Sequence, residues 1–276
     1  MEHCFIVASN NEGVLRSCLL KSPDLRQAEV NVQRDAMSAG CAYNRGIQST
    51  KAEIMLFVHQ DVFLPLGWLE QFEQSIKMLD CHDPNWGVAG LFGTQRAGGG
   101  KGFLYSTGLQ RTVGEPFEGF GEVETLDEVM LVVRRSSGLR FDEQLPGFHL
   151  YGADICVSAR QRGMKNYAVS AFCIHNSNGI GRLPGGFWKA YSYLWRKWFW
   201  QLPINTPCTR ITRPGLPVVQ HLVDALFSRN AKQPGRRVED PALLYENLVE
   251  RGSIRRFGRP GTMLSYQPLK ESHDER

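Results

Sequence analysis

Residues 54–62 read Ile-Met-Leu-Phe-Val-His-Gln-Asp-Val, an unbroken apolar run that ends directly in three polar side chains. A strand without polar alternation is covered on both faces, as in a parallel α/β sheet. The flanking segments agree. Cys4–Ser9 reads as a first strand, Asn10-Asn11-Glu12-Gly13 as a polar turn, and Val14 to Lys21 as a helix stopped before Ser22-Pro23. Glu29–Val32 is a short second strand and Met37 to Thr50 a second helix. Pro65-Leu66-Gly67-Trp68-Leu69 opens a third helix to about Asp80, with apolar residues at 69, 72, 76 and 79, which is helical spacing. Val88–Phe92 is the next strand. This alternation predicts a doubly wound α/β sheet.

In an open α/β sheet, ligands sit just beyond the carboxyl ends of the strands. His59, Gln60 and Asp61 occupy that position. A buried strand has no structural use for a carboxylate at its tip, so Asp61 is the residue around which other functional groups are expected to converge.

The chain has 276 residues, 42% of them hydrophobic and 22% charged, enough for one large globular domain or two small ones. An acid at position 2 and a short apolar stretch make the N-terminus a strand, not a signal peptide. No run approaches the roughly 20 apolar residues of a membrane span. Seven cysteines, at 4, 18, 41, 81, 156, 173 and 208, form no CxxC pair. They read as the reduced thiols of a cytoplasmic protein, with neither a disulfide framework nor a zinc cluster.

The net charge of +4 is unevenly placed. From Ile155 to Val223 there is no Asp or Glu, while Arg160, Arg162, Lys165, Arg182, Lys189, Arg196, Lys197, Arg210 and Arg213 make the segment strongly basic. Such a segment is either a solvated basic face or the seat of an anionic partner such as phosphate or membrane headgroups. No nucleic-acid-binding motif accompanies it.

Gly98-Gly99-Gly100 with Lys101 and Gly102 is a flexible loop, followed by strands near Phe103–Leu109 and Val129–Arg134 in an acidic middle region. Ala153 to Arg162 reads as a helix ended by Gly163, with Asp154 in its first turn. Tyr167–Ile174 reads as a strand with His175 at its end. Residues 187–200 hold eight aromatics, with Trp188, Trp195 and Trp198 near helical spacing. The tail from about Ser228 is rich in Arg, Pro, Gly and Glu, and its last residues are expected to be loosely held.

Five pieces now stand in a recognisable order. They are Ser9-Asn10-Asn11-Glu12 after strand one, Gly40-Cys41-Ala42-Tyr43-Asn44-Arg45-Gly46-Ile47, His59-Gln60-Asp61, Phe141-Asp142-Glu143, and Tyr151-Gly152-Ala153-Asp154-Ile155-Cys156 followed by Arg160-Gln161-Arg162-Gly163 and His175. Over residues 3–180 this resembles the family 2 glycosyltransferases of the GT-A fold, in the small branch where His-Gln-Asp replaces Asp-x-Asp. The resemblance implies a Rossmann-like mixed, mostly parallel sheet flanked by helices. It implies a nucleotide-sugar-binding catalytic domain at 1–180 and an aromatic and basic extension at 181–276, helical and packed on the same domain.

The resemblance also implies roles. Ser9, Asn10 and Glu12 would meet the base and ribose of a nucleotide-diphosphate sugar, with a UDP-sugar preferred. Gly40 and Asn44, on a helix of small residues, would let the backbone approach the nucleotide closely. Asp61 would bind the diphosphate through a divalent cation, Mn²⁺ or Mg²⁺, with His59 and His175 as further metal ligands. Asp154 would be the general base of an inverting transfer to a glycan or lipid-linked acceptor. Asp127 and Glu128 form a second carboxylate pair that could face the donor sugar or rival that base. Segment 187–200 would shape the acceptor site or touch the membrane surface peripherally.

Two other readings compete. A nucleotide-sugar-binding module on the same fold would explain why no Glu-Asp pair precedes Asp154. A Rossmann oxidoreductase is disfavoured, because strand one leads into Ser-Asn-Asn-Glu and not a GxGxxG turn.

Overall fold

The computed structural model describes residues 2–180, 182–215, 219, 222 and 234–256. Its strands in chain order are β1 (His3–Ala8), β2 (Glu29–Gln33), β3 (Ile54–His59), β4 (Val62–Phe63), β5 (Val88–Gly90), β6 (Phe92–Thr94), β7 (Gly100–Ser106), β8 (Arg111–Gly114), β9 (Phe120–Val123), β10 (Thr125–Leu126), β11 (Met130–Arg134), β12 (Asn166–Val169) and β13 (Cys173–His175). Seven of them form the central sheet, ordered β2-β1-β3-β11-β5-β12-β9. β1 is parallel to both β2 and β3, and β12 is parallel to β5. β11 and β9 run antiparallel to their neighbours. The expected doubly wound pattern is therefore present, with one reversed strand set between β3 and β5.

Side-chain alternation along the strands builds a core on each face of this sheet. Ile6, Met55, Phe57, Leu131 and Val133 point to one side. There they meet helices α2 (Ala39–Ser49), α4 (Tyr151–Gln161) and α5 (Gly185–Lys197). Phe5, Val7, Leu56, Val58 and Val132 point to the other, against α1 (Glu12–Ser17) and α3 (Trp68–His82). Local caps fix the helix starts. Asn11 Oδ1 accepts from the Val14 amide, and Ser38 Oγ from the Cys41 amide. Asp24 caps α3 from a distant segment, accepting from the amides of Gly67 and Leu69.

A second sheet, ordered β10-β6-β7-β13-β4 with β8 beside β7, packs along the first. It explains two corrections to the expected strands. The run Val88–Phe92 divides at Leu91 into β5 and β6, and the run Tyr167–Ile174 divides at 170–172 into β12 and β13. In each case the chain leaves the central sheet for the second one. Ser170 marks the second crossing, its amide held by the Gly119 carbonyl at 2.8 Å.

The aromatic segment is α5 and the turn after it, and it is core before it is surface. Phe187, Tyr191 and Leu194 are buried, and Trp188, Trp195 and Trp198 pack against them half-exposed. A short pair, β14 (Ile204–Asn205) and β15 (Arg210–Ile211), follows. Within the tail, helix α6 (Pro241–Glu250) buries Tyr245 and Leu248 against Phe63 and Phe172, ahead of the last residues for which loose holding is expected. The rest of that tail, 228–233 and 257–276, lies outside the described residues. All seven cysteines are free, and among the described residues no helix is long and apolar enough to cross a membrane.

Candidate active site

The two sheets meet at His59-Gln60-Asp61. β3 ends at His59 in the central sheet, the chain turns through Gln60 and Asp61, and β4 begins at Val62 in the second sheet. There β4 pairs with β13 so that Val62 lies opposite His175. The Asn176 amide donates to the Asp61 carbonyl at 2.8 Å and closes the turn. Two strand ends from different sheets thus bring His59, Asp61 and His175 together, with one candidate ligand atom from each lying within 4.8 Å of the others.

The electrostatics of this cluster are directional. His175 Nε2 lies 3.5 Å from Asp61 Oδ1, and Arg237 Nη2 donates to Asp61 Oδ2 at 3.0 Å. Burial pushes the Asp61 pKa up, but the bond and charge of His175, with His59 and Arg237, outweigh it and hold the group well below the usual carboxylate range. Burial pulls His175 down, and Asp61 more than reverses that, so its net shift is upward. His59 has no such reversal: burial keeps its pKa below the ordinary value and the ring neutral.

Tyr151, at the start of α4, fixes that ring. Its hydroxyl donates to the Glu128 carbonyl at 3.2 Å, and the same oxygen meets His59 Nε2 at 2.9 Å. With the hydroxyl proton directed at Glu128, His59 donates through Nε2, and a neutral ring so held carries its lone pair on Nδ1.

The loop after β1 joins the site through Gln60. Gln60 Oε1 accepts from Ser9 Oγ at 2.8 Å and from the amides of Asn10 and Asn11, while its Nε2 donates to Asn10 Oδ1 at 2.7 Å. Ser9 and Asn10 therefore sit beside the His-Gln-Asp turn. Glu12 is bonded to Arg16 and Arg34.

Gly40 and Asn44 have other neighbours. A Cβ at Gly40 would stand 2.3 Å from the Asp142 carbonyl oxygen, so the glycine lets α2 seat against the 141–143 loop. Asn44 is 8% exposed and exchanges bonds with the Phe141 backbone and Glu143. Gly40 thus serves close packing with that loop, while Gly46 of the same helix leaves room for Ile6 of β1.

Asp154 is 2% exposed. Lys197 Nζ donates to its two oxygens at 2.7 and 2.9 Å, and Trp198 Nε1 to Oδ1 at 2.7 Å. Burial raises its pKa despite the lowering influence of Lys197. The same ammonium reaches Asp142 at 2.7 Å, so the start of α4 and the 141–143 loop are tied to α5. Lys197 was not singled out as Asp154's partner by sequence, nor was Arg237. Arg237 lies 176 residues from Asp61 and is aimed by Asn176, whose carbonyl accepts from its Nε at 2.7 Å. The one advance signal for Lys197 was its place in the acid-free segment.

Comparison with known proteins agrees with this architecture. Residues 4–181 match a sequence family described as glycosyltransferase-like. A protein of Fuscovulum blasticum named ATP synthase subunits region ORF 6 is 29% identical over 140 residues, covering 47% of this chain and 54% of that one. Among solved structures, GalNAc-T7 with UDP, GalNAc and Mn²⁺ superposes with a TM-score of 0.50 at 11% identity, over 71% of this chain and 48% of that one. S. aureus TarS 1–349 gives a TM-score of 0.44 at 11% identity, over 83% and 73% of the two chains. The chain thus spans about half the length of the curated relative and of GalNAc-T7. The fold is GT-A, and the chain belongs to the glycosyltransferase-like family.

Proposed function

We propose that this chain is a metal-dependent glycosyltransferase that moves a sugar from a nucleotide-diphosphate sugar to an acceptor hydroxyl, with inversion at the anomeric carbon. The observation that carries this reading is the convergence of His59, Asp61 and His175 beyond the end of β3 in a chain of this family. The donor set fits a divalent cation. Asp61 is ionised and supplies a hard oxygen, and two imidazoles favour Mn²⁺ over Mg²⁺. When bound there, the cation supplies positive charge to the departing diphosphate.

The chain's own residues would do the rest. Arg237 offers a guanidinium suited to phosphate oxygens, beside the metal's carboxylate ligand. Tyr151 holds the His59 ring with its outer nitrogen bonded, the arrangement that orients ligating histidines. Ser9 and Asn10, braced by Gln60, would line the nucleotide. A UDP-sugar is the preferred donor, since GalNAc-T7 carries UDP and Mn²⁺ on the same fold. Two acids are candidates for base assistance, Asp154 on α4 and Glu128, which accepts from the Gly152 amide at the start of that helix. Trp200, 80% exposed with the Arg213 guanidinium 5.9 Å from its ring centre, marks the face we assign to a glycan or lipid-linked acceptor and to peripheral membrane contact.

The sequestration of Asp154 favours one second reading, a nucleotide-sugar-binding module without turnover. Incubation with UDP-glucose, UDP-GlcNAc, UDP-galactose and GDP-mannose in Mn²⁺ separates the two. The enzyme reading expects release of nucleoside diphosphate, lost with chelator and in Asp61→Asn. Metal-dependent binding with no release from any donor would establish the module instead.

A further inference from the structure

We propose that Glu128, and not an acid on α4 itself, is the carboxylate that takes the acceptor's proton; this rests on the glycosyl-transfer reading above. The first residues of α4 are Tyr151, Gly152 and Ala153, so the helix offers no carboxylate before Asp154. The structure fills that place from the turn between β10 and β11. A Cβ on Gly152 would lie 3.1 Å from Glu128 Cγ and 2.7 Å from the Leu126 carbonyl oxygen, so position 152 has no room for a side chain and Glu128 lies against it. Glu128 Oε1 accepts from the Gly152 amide at 3.3 Å, and the amides of Leu150 and Tyr151 also favour its charged form.

Three contacts tie the backbone that carries this carboxylate to the metal cluster. The Val129 carbonyl accepts from the His59 amide at 3.2 Å. The Glu128 carbonyl receives the Tyr151 hydroxyl that positions His59. Met130 pairs with Val58 at the end of β3. The segment Asp127–Val129 thus runs beside the strand end where the donor would sit.

The other nearby acids are engaged. Asp154 is 2% exposed and bonded by Lys197 and Trp198. Glu124 pairs with Arg160 and Asn205. Asp127 Oδ1 is turned back onto the Val129 amide at 2.9 Å. Glu128 is half-buried, and among the described residues no side-chain cation pairs with it. Burial and the adjacent Asp127 push its pKa up to about 8, which gives it the proton affinity a base needs. In the step itself, the acceptor hydroxyl gives its proton to Glu128 and its oxygen forms the bond to the anomeric carbon. The bond from that carbon to the diphosphate breaks, and its electron pair leaves with the diphosphate.

The test uses Glu128→Gln, Glu128→Asp and Asp154→Asn in the full chain, with Mn²⁺ and whichever of the four donors wild type hydrolyses. Folding is checked by circular dichroism and UDP binding by calorimetry. Water must lose a proton to attack, whereas azide need not. Glu128→Gln is expected to bind UDP as wild type does, to lose donor hydrolysis at least 100-fold, and to keep glycosyl azide formation within about threefold of wild type. Glu128→Asp should recover part of the hydrolysis. Wild-type hydrolysis rates in folded Glu128→Gln, or the azide-spared signature in Asp154→Asn alone, would overturn the assignment. A wild type that hydrolyses no donor would overturn the glycosyl-transfer reading, and this assignment with it.

Discussion

His175 and Asp61 approach to 3.5 Å because β4 and β13 pair in the second sheet while β3 belongs to the first. The junction between sheets, and not either sheet alone, makes the cluster. Removing His175 should therefore cost metal affinity without unfolding the strand end. His175→Ala should weaken Mn²⁺ binding by more than tenfold, and Tyr151→Phe, which loses only the hydroxyl that orients His59, by roughly tenfold. Titration followed by the Mn²⁺ paramagnetic resonance signal measures both; unchanged affinity in His175→Ala would remove it from the ligand set.

The cluster was legible in sequence because its parts are local signals. An apolar run ending in His-Gln-Asp announces a parallel strand and its tip, and His175 ends a second such run. The strand divisions at Leu91 and at 170–172 were not legible, since an apolar run looks the same whether it stays in one sheet or crosses to another. Arg237 and Lys197 were hidden for another reason. Their partners are set by packing across 176 and 43 residues, and a surface Arg or Lys carries no mark of its partner. The motif resemblance set Gly40 and Asn44 toward a nucleotide, while tertiary contact gave them the 141–143 loop.

Lys197 stands between Asp142 and Asp154, both 2.7 Å from its ammonium. Lys197→Met leaves two neighbouring carboxylates without their cation, one of them buried. The expected loss is about 3 kcal/mol, since breaking a buried pair from one side strands the remaining charge. Adding Asp154→Asn should restore part of that stability. Denaturant unfolding of the two single variants and the double variant measures the coupling.

Glu128 gives stability a pH dependence of known sign. Its pKa is about 8 in the folded chain against an ordinary 4.5, so the folded state binds its proton more tightly. Its contribution is complete below the lower value and is lost as pH rises through about 8. Glu128→Gln removes that term. The melting temperature of the variant should gain on wild type between about pH 5 and about pH 9, and a constant difference across this range would show that Glu128 is not held protonated. If Glu128 is also the base, wild-type kcat/KM should rise with pH through about 8 and then level.

Arg237 bonds Asp61 at 3.0 Å and is itself held by the Asn176 carbonyl. A guanidinium so fixed contributes a charge-assisted bond to a bound diphosphate, about 1.5–3 kcal/mol. Arg237→Ala should weaken UDP binding in Mn²⁺ by roughly tenfold or more, and uridine binding hardly at all. Calorimetry with both ligands distinguishes loss of a phosphate contact from general damage.

The most direct measurement is anomalous diffraction at the manganese edge from crystals of the full chain grown with UDP and Mn²⁺. The predicted result is a single strong peak bounded by His59, Asp61 and His175, with the diphosphate of UDP on its open side. UDP bound beside Ser9 and Asn10 with no peak among those three residues, or with the manganese held elsewhere, would contradict the assignment of this cluster as the metal centre.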